Sequence, residues 1–476
     1  MADVKISELP EATLPLTGAE LTPVVQDGVT RRTTVGDVRD VPDWTRPDDW
    51  LPLPVAATHQ VTMIVAVQDH WSNFAALAVT SVGGYTVDWG DGTVDTLGSG
   101  DQAEHTYDWS DPAFDGTETS RGFKQAVVTV TGSGPVTELD LSRAHSGSGY
   151  QPTNPWLDVE LNVPACTYCL ISTYECWANL VERVRFTACG ALSVTANMFR
   201  MALNLQDIEF VPGMFETTTS AAEMFNWCYA LKRVEFPVGS WAAITSANAM
   251  FWGCYSLREV VIPEGGFAAV TNASSLFSDC YALERIVLPD GALSAATTAD
   301  YCFYYCSALR ELTLGAGALQ AAIDVSYCFS SINALPELVL PDGALAAAID
   351  ATDCFSWSSR LGRLVLPTGA LSVAETIDNA FQGLYALEWL DLPAGSLSAV
   401  TSADAAFLYA GTLARVTNCS MPISFSIEYN ALSAEALDEI YTALPPASAT
   451  ITVSGNPGVG GDDPTIATAK GWTVVS

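Results

Sequence analysis

The stretch LERIVLPDGALSAATTADYCFYYCSA, Leu283 to Ala308, is one unit of a longer series. Leu283, Ile286 and Leu288 are spaced L-x-x-I-x-L. Side chains alternate across a strand, so Ile286 and Leu288 point inward while Arg285 and Val287 point outward. Pro289 and Gly291 stop the strand and turn the chain. Leu293 re-enters the core, a Thr/Ala-rich stretch follows, and Phe303 fills the core from the return side. The unit recurs every 26 residues: Phe199, Phe225, Phe251, Phe277, Phe303, Phe329, Phe355, Phe381 and Phe407 form one column. Leucines from Leu205 to Leu413, prolines from Pro237 to Pro393 with Gly315 filling the one gap, and glycines from Gly239 to Gly395 keep the same step. A unit this short cannot bury both faces alone, so neighbours must stack, each adding one strand to a parallel sheet. At ~4.8 Å between strands, about ten turns make a rod on the order of 50 Å long.

The strand, the Pro, the Phe and the following Cys resemble the BspA-like leucine-rich repeats, whose units read C-x-x-L-x-x-I-x-I-P … A-F-x-x-C. The resemblance covers residues 136 to about 420 and departs from that family in the length of the unit. The turns near Leu139 (ELDLSRA) and Val184 (LVERVRF) are degenerate, as terminal repeats are. The fold class expected is mainly β: a leucine-rich-repeat-like solenoid of 26-residue units with a parallel sheet. A small immunoglobulin-like β-sandwich and an N-terminal anchor precede it. The domains are 1–45, anchor and linker; 46–135, sandwich; 136–430, solenoid; and 431–476, C-terminal cap. In the cap, Ser433 can start a helix whose face carries Leu437, Ile440, Tyr441 and Leu444. Ala449 to Val453 reads as a strand, and the cap is expected to close the last sheet edge.

Upstream, strands are expected at Val61–Val67, Ala76–Thr80, Tyr85–Trp89, Thr93–Thr96 and Ala126–Thr131, with a hairpin around Gly90-Asp91-Gly92. The string YTVDWGDGTVDT with HTY at His105–Tyr107 resembles PKD-like domains. That resemblance implies a spacer or contact module. Asp88, Asp91, Asp95, Asp101 and Glu104 could gather a Ca²⁺, against the simpler reading of a solvated rim in which Asp91 shapes the turn. No other cofactor is expected.

Residues Lys5–Pro10, Leu21–Gln26, Gly28, Thr30–Arg32 and Thr34–Val38 resemble the N-terminal segments of phage tail fibres, tailspikes and related virion proteins. Leu21–Val25 and Thr30–Val35 read as two short strands. The resemblance implies that residues 1–45 dock to other phage structural proteins, with Leu9, Leu21, Val24, Val25, Gln26, Gly28 and Arg32 as anchoring positions. It also implies homotrimers, although no heptad run enforces them. The place expected is a virion surface, the tail ahead of the capsid, after synthesis in the host cytoplasm.

Composition narrows the function. Twenty Lys+Arg stand against 54 Asp+Glu, a net charge of −34, so a phosphate-neutralising surface for nucleic acid is not available. No run of apolar residues is long enough to insert into a membrane. The N-terminus has neither the basic nor the apolar region of a signal peptide. The four histidines, His59, His70, His105 and His145, all precede the regular turns, and no nucleophile, zinc-protease or phosphate-loop motif is present. No acid column runs along the repeats to supply a glycosidase pair. Cys228, Cys254, Cys280 and Cys306 share one column and Cys302, Cys328 and Cys354 another. Both read as small buried filler with free thiols. Cys166, Cys169, Cys176 and Cys189 lack the paired spacing of a zinc site.

The outward strand column runs Arg233, Glu259, Arg285, Glu311, Glu337, Arg363, Trp389, Arg415, so opposite charges face each other across most neighbours. Beside the Phe positions, Trp227, Trp252, Tyr255, Tyr281, Tyr304, Tyr305 and Trp357, with Trp389 on the strand face, are the candidate receptor contacts, for a host protein or glycan. The reading is a non-enzymatic phage tail fibre or receptor-binding protein that mediates host attachment. The alternatives are a head decoration or connector, a bacterial surface adhesin, and a polysaccharide depolymerase.

Overall fold

A computed structural model describes residues 21–26 and 29–34 by strand pairing, and residues 44–69, 73–148, 155–172 and 180–476 in full. The chain forms two compact units, Met1–Asp48 and Asp49–Ser476. The first holds an antiparallel pair, β1 (Leu21–Gln26) and β2 (Val29–Thr34), with Leu21 opposite Thr34 and Gln26 opposite Val29. Of the anchoring positions, Leu21, Val24, Val25 and Gln26 lie on β1 and Arg32 on β2. Leu9 and Gly28 lie outside the described residues.

The second unit opens with β3 (Gln60–Val67), β4 (Phe74–Ser81), β5 (Tyr85–Asp88), β6 (Val94–Leu97), β7 (Gln102–Thr106), β8 (Lys124–Gly132) and β9 (Val136–Asp140). They form two sheets, one containing β3-β8-β5-β6 and the other β9-β4-β7. Alternation supplies the core: Val61, Met63 and Val65 of β3 and Ala75, Leu77 and Val79 of β4 are buried with Trp89, Tyr107 and Phe114. Strand β7 (QAEHT) escapes sequence reading because its residues are polar; pairing with β4 holds it.

Both sheets continue into the coil. The next strands are β10 (Trp156–Val163), β11 (Tyr168–Leu170), β12 (Arg183–Cys189) and β13 (Asp207–Glu209). Strand β10 pairs antiparallel with β3 and parallel with β12, and β13 extends the same seven-stranded sheet. Strand β9 pairs antiparallel with β4 and parallel with β11. The strand around Leu139 is therefore an early turn and a sandwich strand at once. A single apolar core runs from Val61 to Trp472. Buried charges join the parts: Arg183 donates to both Asp158 carboxylate oxygens at 2.8 Å, and Arg185 pairs with Glu160. The Ala56 N–H donates to Glu160 at 2.9 Å.

The front of the coil carries β14 (Arg233–Glu235), β15 (Glu259–Val261), β16 (Arg285–Val287), β17 (Glu311–Thr313), β18 (Glu337–Val339), β19 (Arg363–Val365), β20 (Trp389–Asp391) and β21 (Arg415–Thr417). One 26-residue step is one strand in register, so Arg233, Glu259, Arg285 and Glu311 lie side by side. Arg233 meets Glu259 at 3.6 Å, Arg285 meets Glu311 at 3.0 Å, and Arg363 pairs with Glu337. These exposed pairs fix register more than they add stability. Inside, consecutive Phe rings of the nine-residue column stack 5.2 to 5.8 Å apart with planes within 14°. Each buried ring contributes roughly 1.5–3 kcal/mol by removal from water. A third line of single parallel bridges joins Ser220, Ser246, Asn272, Thr298, Asp324, Asp350, Thr376 and Ser402.

The turns close through left-handed backbone. Around Phe303, Tyr301 has φ 56°, Tyr305 φ 55° and Leu293 φ 58°, and these columns repeat along the coil. The cap follows with β22 (Phe425–Ser426), α1 (Ala434–Ala443), β23 (Thr450–Thr452), α2 (Thr465–Thr468) and β24 (Thr473–Val475). Ser433 caps α1 by accepting from the Ala436 N–H at 3.3 Å, and Leu437, Ile440 and Tyr441 are buried as the spacing predicts. Helix α1 packs beside β21, where Arg415 donates twice to Glu439 at 2.9 Å. The helix thus covers the last front strand, but β22-β23-β24 form a further parallel sheet whose outer edge is β24. The expectation of a fully closed edge is corrected to a short one, three residues long.

Candidate functional site

Residues flanking the Phe column reach the surface on the return side. Four positions after Phe, Tyr229, Tyr255 and Tyr281 stack at 4.6 and 4.9 Å, and Tyr281 meets Tyr305 edge-on at 6.3 Å. The run then breaks. The Phe329 turn carries Ser330, Ser331 and Asn333 where other turns carry rings, and the rings resume with Trp357 and Tyr385. The gap is a groove of about 600 Å³ lined by Tyr304, Tyr305, Tyr327, Trp357 and Tyr385 as walls, with serines, Asn333 and Asp353 as floor.

The floor is tied together. Ser330 and Ser356 hydroxyls lie 2.9 Å apart, and Ser356 donates to the Asp353 carbonyl at 3.1 Å. Ser359 donates to Asn333 Oδ1 at 2.9 Å, and Asn379 donates to the Asp353 carboxylate at 3.2 Å. Tyr327 stacks on Tyr301 at 4.6 Å. Burial, and then the Asp353 carboxylate beside it, push the Tyr327 phenol up to about 12. Trp357 lies flat because Gly383 has no Cβ; one there would sit 2.7 Å from the indole. Trp227 lies the same way against Gly253 one turn on.

Of the receptor residues named from sequence, Tyr304, Tyr305 and Trp357 meet in the groove, and Tyr255 and Tyr281 lead up to it. Trp227 and Trp252 are half-buried nearby, with Trp252 donating to Asp279 at 2.9 Å. Trp389 stands apart on the strand face, beside Arg363 and Asp391. Tyr327, Tyr385, Asn333, Asp353 and the serines were not singled out. Their signal in the sequence is the loss of aromatic residues from one turn of an aromatic series.

The acids of the hairpin are not gathered. Asp91 accepts from Thr93 and sits 2.7 Å from the His105 ring; Asp88 accepts from the Gly90 N–H, Asp95 from the Trp89 indole and Asp101 from the Gly98 N–H. Glu104 accepts from the Ser146 N–H at 2.9 Å. With each acid committed to its own partner, no three ligand side chains converge on a metal among the described residues. Burial works to raise Asp91, but Thr93 and His105 outweigh it and hold the carboxyl low. Trp89 stacks on His105 at 4.9 Å, and the Tyr107 hydroxyl donates to the Trp89 carbonyl.

The cysteines do more than fill space. The thiols of Cys228, Cys254, Cys280 and Cys306 donate to the carbonyl of the Phe one turn earlier at 3.1–3.2 Å, and Ser358 makes the same bond at 2.8 Å. The eleven described cysteines are free. Cys166, Cys169 and Cys189 share thiol hydrogen bonds, which hold Cys166 low; Cys176 lies outside the described residues.

Residues 181–310 and 218–347 match the sequence model of the BspA type leucine rich repeat region, in six copies. A leucine rich cell surface protein from Faecalibacterium prausnitzii is similar at 16% identity over 68% of this chain and 91% of its own, with a TM-score of 0.32. A leucine-rich repeat protein from Bacteroides ovatus is similar at 16% identity over 68% and 88%, with a TM-score of 0.34. One from Eubacterium ventriosum is similar at 18% identity over 52% and 63%, with a TM-score of 0.33. No curated protein matches the chain.

Proposed function

We propose that this chain, whose turns carry BspA type leucine-rich repeats, is a non-enzymatic surface protein that attaches its bearer to a host, an adhesin in the broad sense. The observation that carries this reading is the line of uncovered rings ending at the groove. Tyr255, Tyr281, Tyr305, Trp357 and Tyr385 are each 40–48% exposed along one side of the coil. Large rings so arranged supply contact energy where a partner docks. The groove hydroxyls bond to one another and to backbone, and no histidine lies in the regular turns to activate one.

The bearer has two readings. The repeats fit a bacterial surface protein. The resemblance of residues 1–45 to virion N-terminal segments supports a phage particle, on its tail or, as decoration, on its head. Immunogold labelling of intact virions and of producing bacteria separates them by where the label falls. Attachment is tested by titrating fluorescent full-length chain onto a panel of intact bacterial and animal cells, beside the Tyr305→Ala/Trp357→Ala variant. Saturable binding weakened in the variant is expected. Failure to bind any cell would sink the attachment reading.

A further inference from the structure

We infer that the groove between Tyr305 and Trp357 is a saccharide subsite that takes an uncharged hexose or N-acetylhexosamine unit of a surface glycan. The inference rests on the attachment reading and names its ligand. The shape comes from a deletion of bulk: Ser330 and Ser331 stand where the preceding turn has Tyr304 and Tyr305, and Ser331 precedes Trp357 in the same column. The resulting volume, about 600 Å³, lies within the range of small-ligand sites, roughly 300–1,000 Å³.

The lining chooses the chemistry. Every wall residue is Tyr or Trp and every floor residue is Ser, Asn or Asp, with no aliphatic side chain and no cation. A pyranose offers the matching pair of surfaces, an apolar C–H face for a ring and equatorial hydroxyls for hydroxyl, amide and carboxylate partners. A peptide anchor would call for an aliphatic pocket. Sialylated, uronic or sulfated glycans would call for Arg or Lys; here the only charge is Asp353, in a chain of net charge −34, and it repels them. The left-handed backbone recurs in every turn, so it builds the coil and does not mark the site. Its effect here is to hold the walls still: the Ser331 N–H donates to the Ser356 carbonyl and the Trp357 N–H to the Gln382 carbonyl, each at 2.8 Å.

The test uses the full chain on an array of neutral, sialylated and sulfated oligosaccharides, followed by tryptophan-fluorescence titration of the best neutral compound. Neutral glycans are expected to bind, and Trp357→Ala to weaken them by about tenfold or more. Ser331→Tyr refills the groove with the residue that the same column carries at Tyr305, where φ is 55° against 61° at Ser331. It is expected to abolish binding while thermal melting stays unchanged. Binding confined to anionic glycans, neutral binding that Ser331→Tyr leaves intact, or no binding to the array overturns the subsite. Periodate treatment of cells separates this from the attachment reading. Cell binding that survives full oxidation of glycans leaves attachment standing through a protein partner and removes the saccharide; no cell binding at all removes both.

Discussion

At the scale of the residue, the coil depends on backbone that L-amino acids avoid. Among the described residues, 26 that are not glycine have positive φ, Trp241, Phe267, Tyr327 and Leu345 included, and none of these is β-branched. That omission follows from sterics, because a branched Cβ meets its own backbone in the left-handed region. Leu345→Val is therefore expected to cost more than the roughly 1 kcal/mol of a lost methylene, by a further 1–2 kcal/mol of backbone strain, read from urea denaturation. A cost no larger than the methylene would show that these columns tolerate branching. The Leu column is legible in the sequence as core; its handedness is not, since it is imposed by bonds to the turn before, such as Leu345 N–H to the Leu319 carbonyl. The thiol column makes a second prediction. Cys306→Ser should preserve the bond to Phe277, as Ser358 shows for Phe329, and cost a few tenths of a kcal/mol; Cys306→Ala removes that bond, leaves the carbonyl the Cys280 N–H at 3.3 Å alone, and should cost about 0.5–1.5 kcal/mol.

Burial raises the column thiols above their ordinary 9.0, so the folded chain keeps protons that the unfolded chain releases. Their stabilising share is complete below that value and falls as pH rises beyond it, by about 1.4 kcal/mol per pH unit for each thiol. Urea midpoints at rising alkaline pH should drop steeply in the native chain and more gently once the four cysteines are serine. Parallel slopes would rule the thiols out as the cause.

At the scale of the element, the front sheet is not continuous: β14–β17, β18–β19 and β20–β21 are separate groups. The break after β17 has a visible cause. Arg258, Glu284 and Arg310 each donate a backbone N–H to the residue 26 positions earlier, and Pro336, next in that column, has none to give. The break after β19 has no such cause: Gly362 donates to the Pro336 carbonyl at 2.9 Å, and Glu388, next in the column, is no proline. Pro336→Arg is expected to join β17 to β18 and stabilise the coil by roughly 0.5–1.5 kcal/mol, with a newly protected amide at 336 in hydrogen exchange. An unprotected amide there would refute the explanation. Strand positions were legible from alternation, down to the inward Ile286 and the paired Arg285 and Glu311. The first interruption lay in the sequence too, in one proline, but only a column-by-column reading with hydrogen-bond donors in mind exposes it.

At the scale of the whole molecule, the sandwich and the coil are one body sharing sheets and core. Nothing local announces this: β10 pairs with β3 across about a hundred residues, Glu160 opposite Thr62, and pairing at that separation leaves no periodic trace. The junction holds Asp158, fully buried against Arg183. Asp158→Ala leaves the guanidinium without its carboxylate and is expected to cost roughly 3–5 kcal/mol, lowering the calorimetric transition of the sandwich and the first turns together. If only one of the two moved, the shared core would not be a cooperative one. The groove was half legible. Its rings were visible as aromatic columns, but its floor is defined by what one turn lacks, and an absence gains meaning only when the turns are seen side by side.

The fit of Trp227 against Gly253 and of Trp357 against Gly383 bears on how such a chain can lengthen or shorten over generations. Whole 26-residue units look interchangeable, yet a unit ending in one of these tryptophans is viable only if its successor brings a glycine. Gene duplication or recombination that moves the first without the second would drive a methyl group into an indole. Inheritance at these places proceeds in couplets of turns, and either indole can migrate along the rod only with its glycine following one step behind.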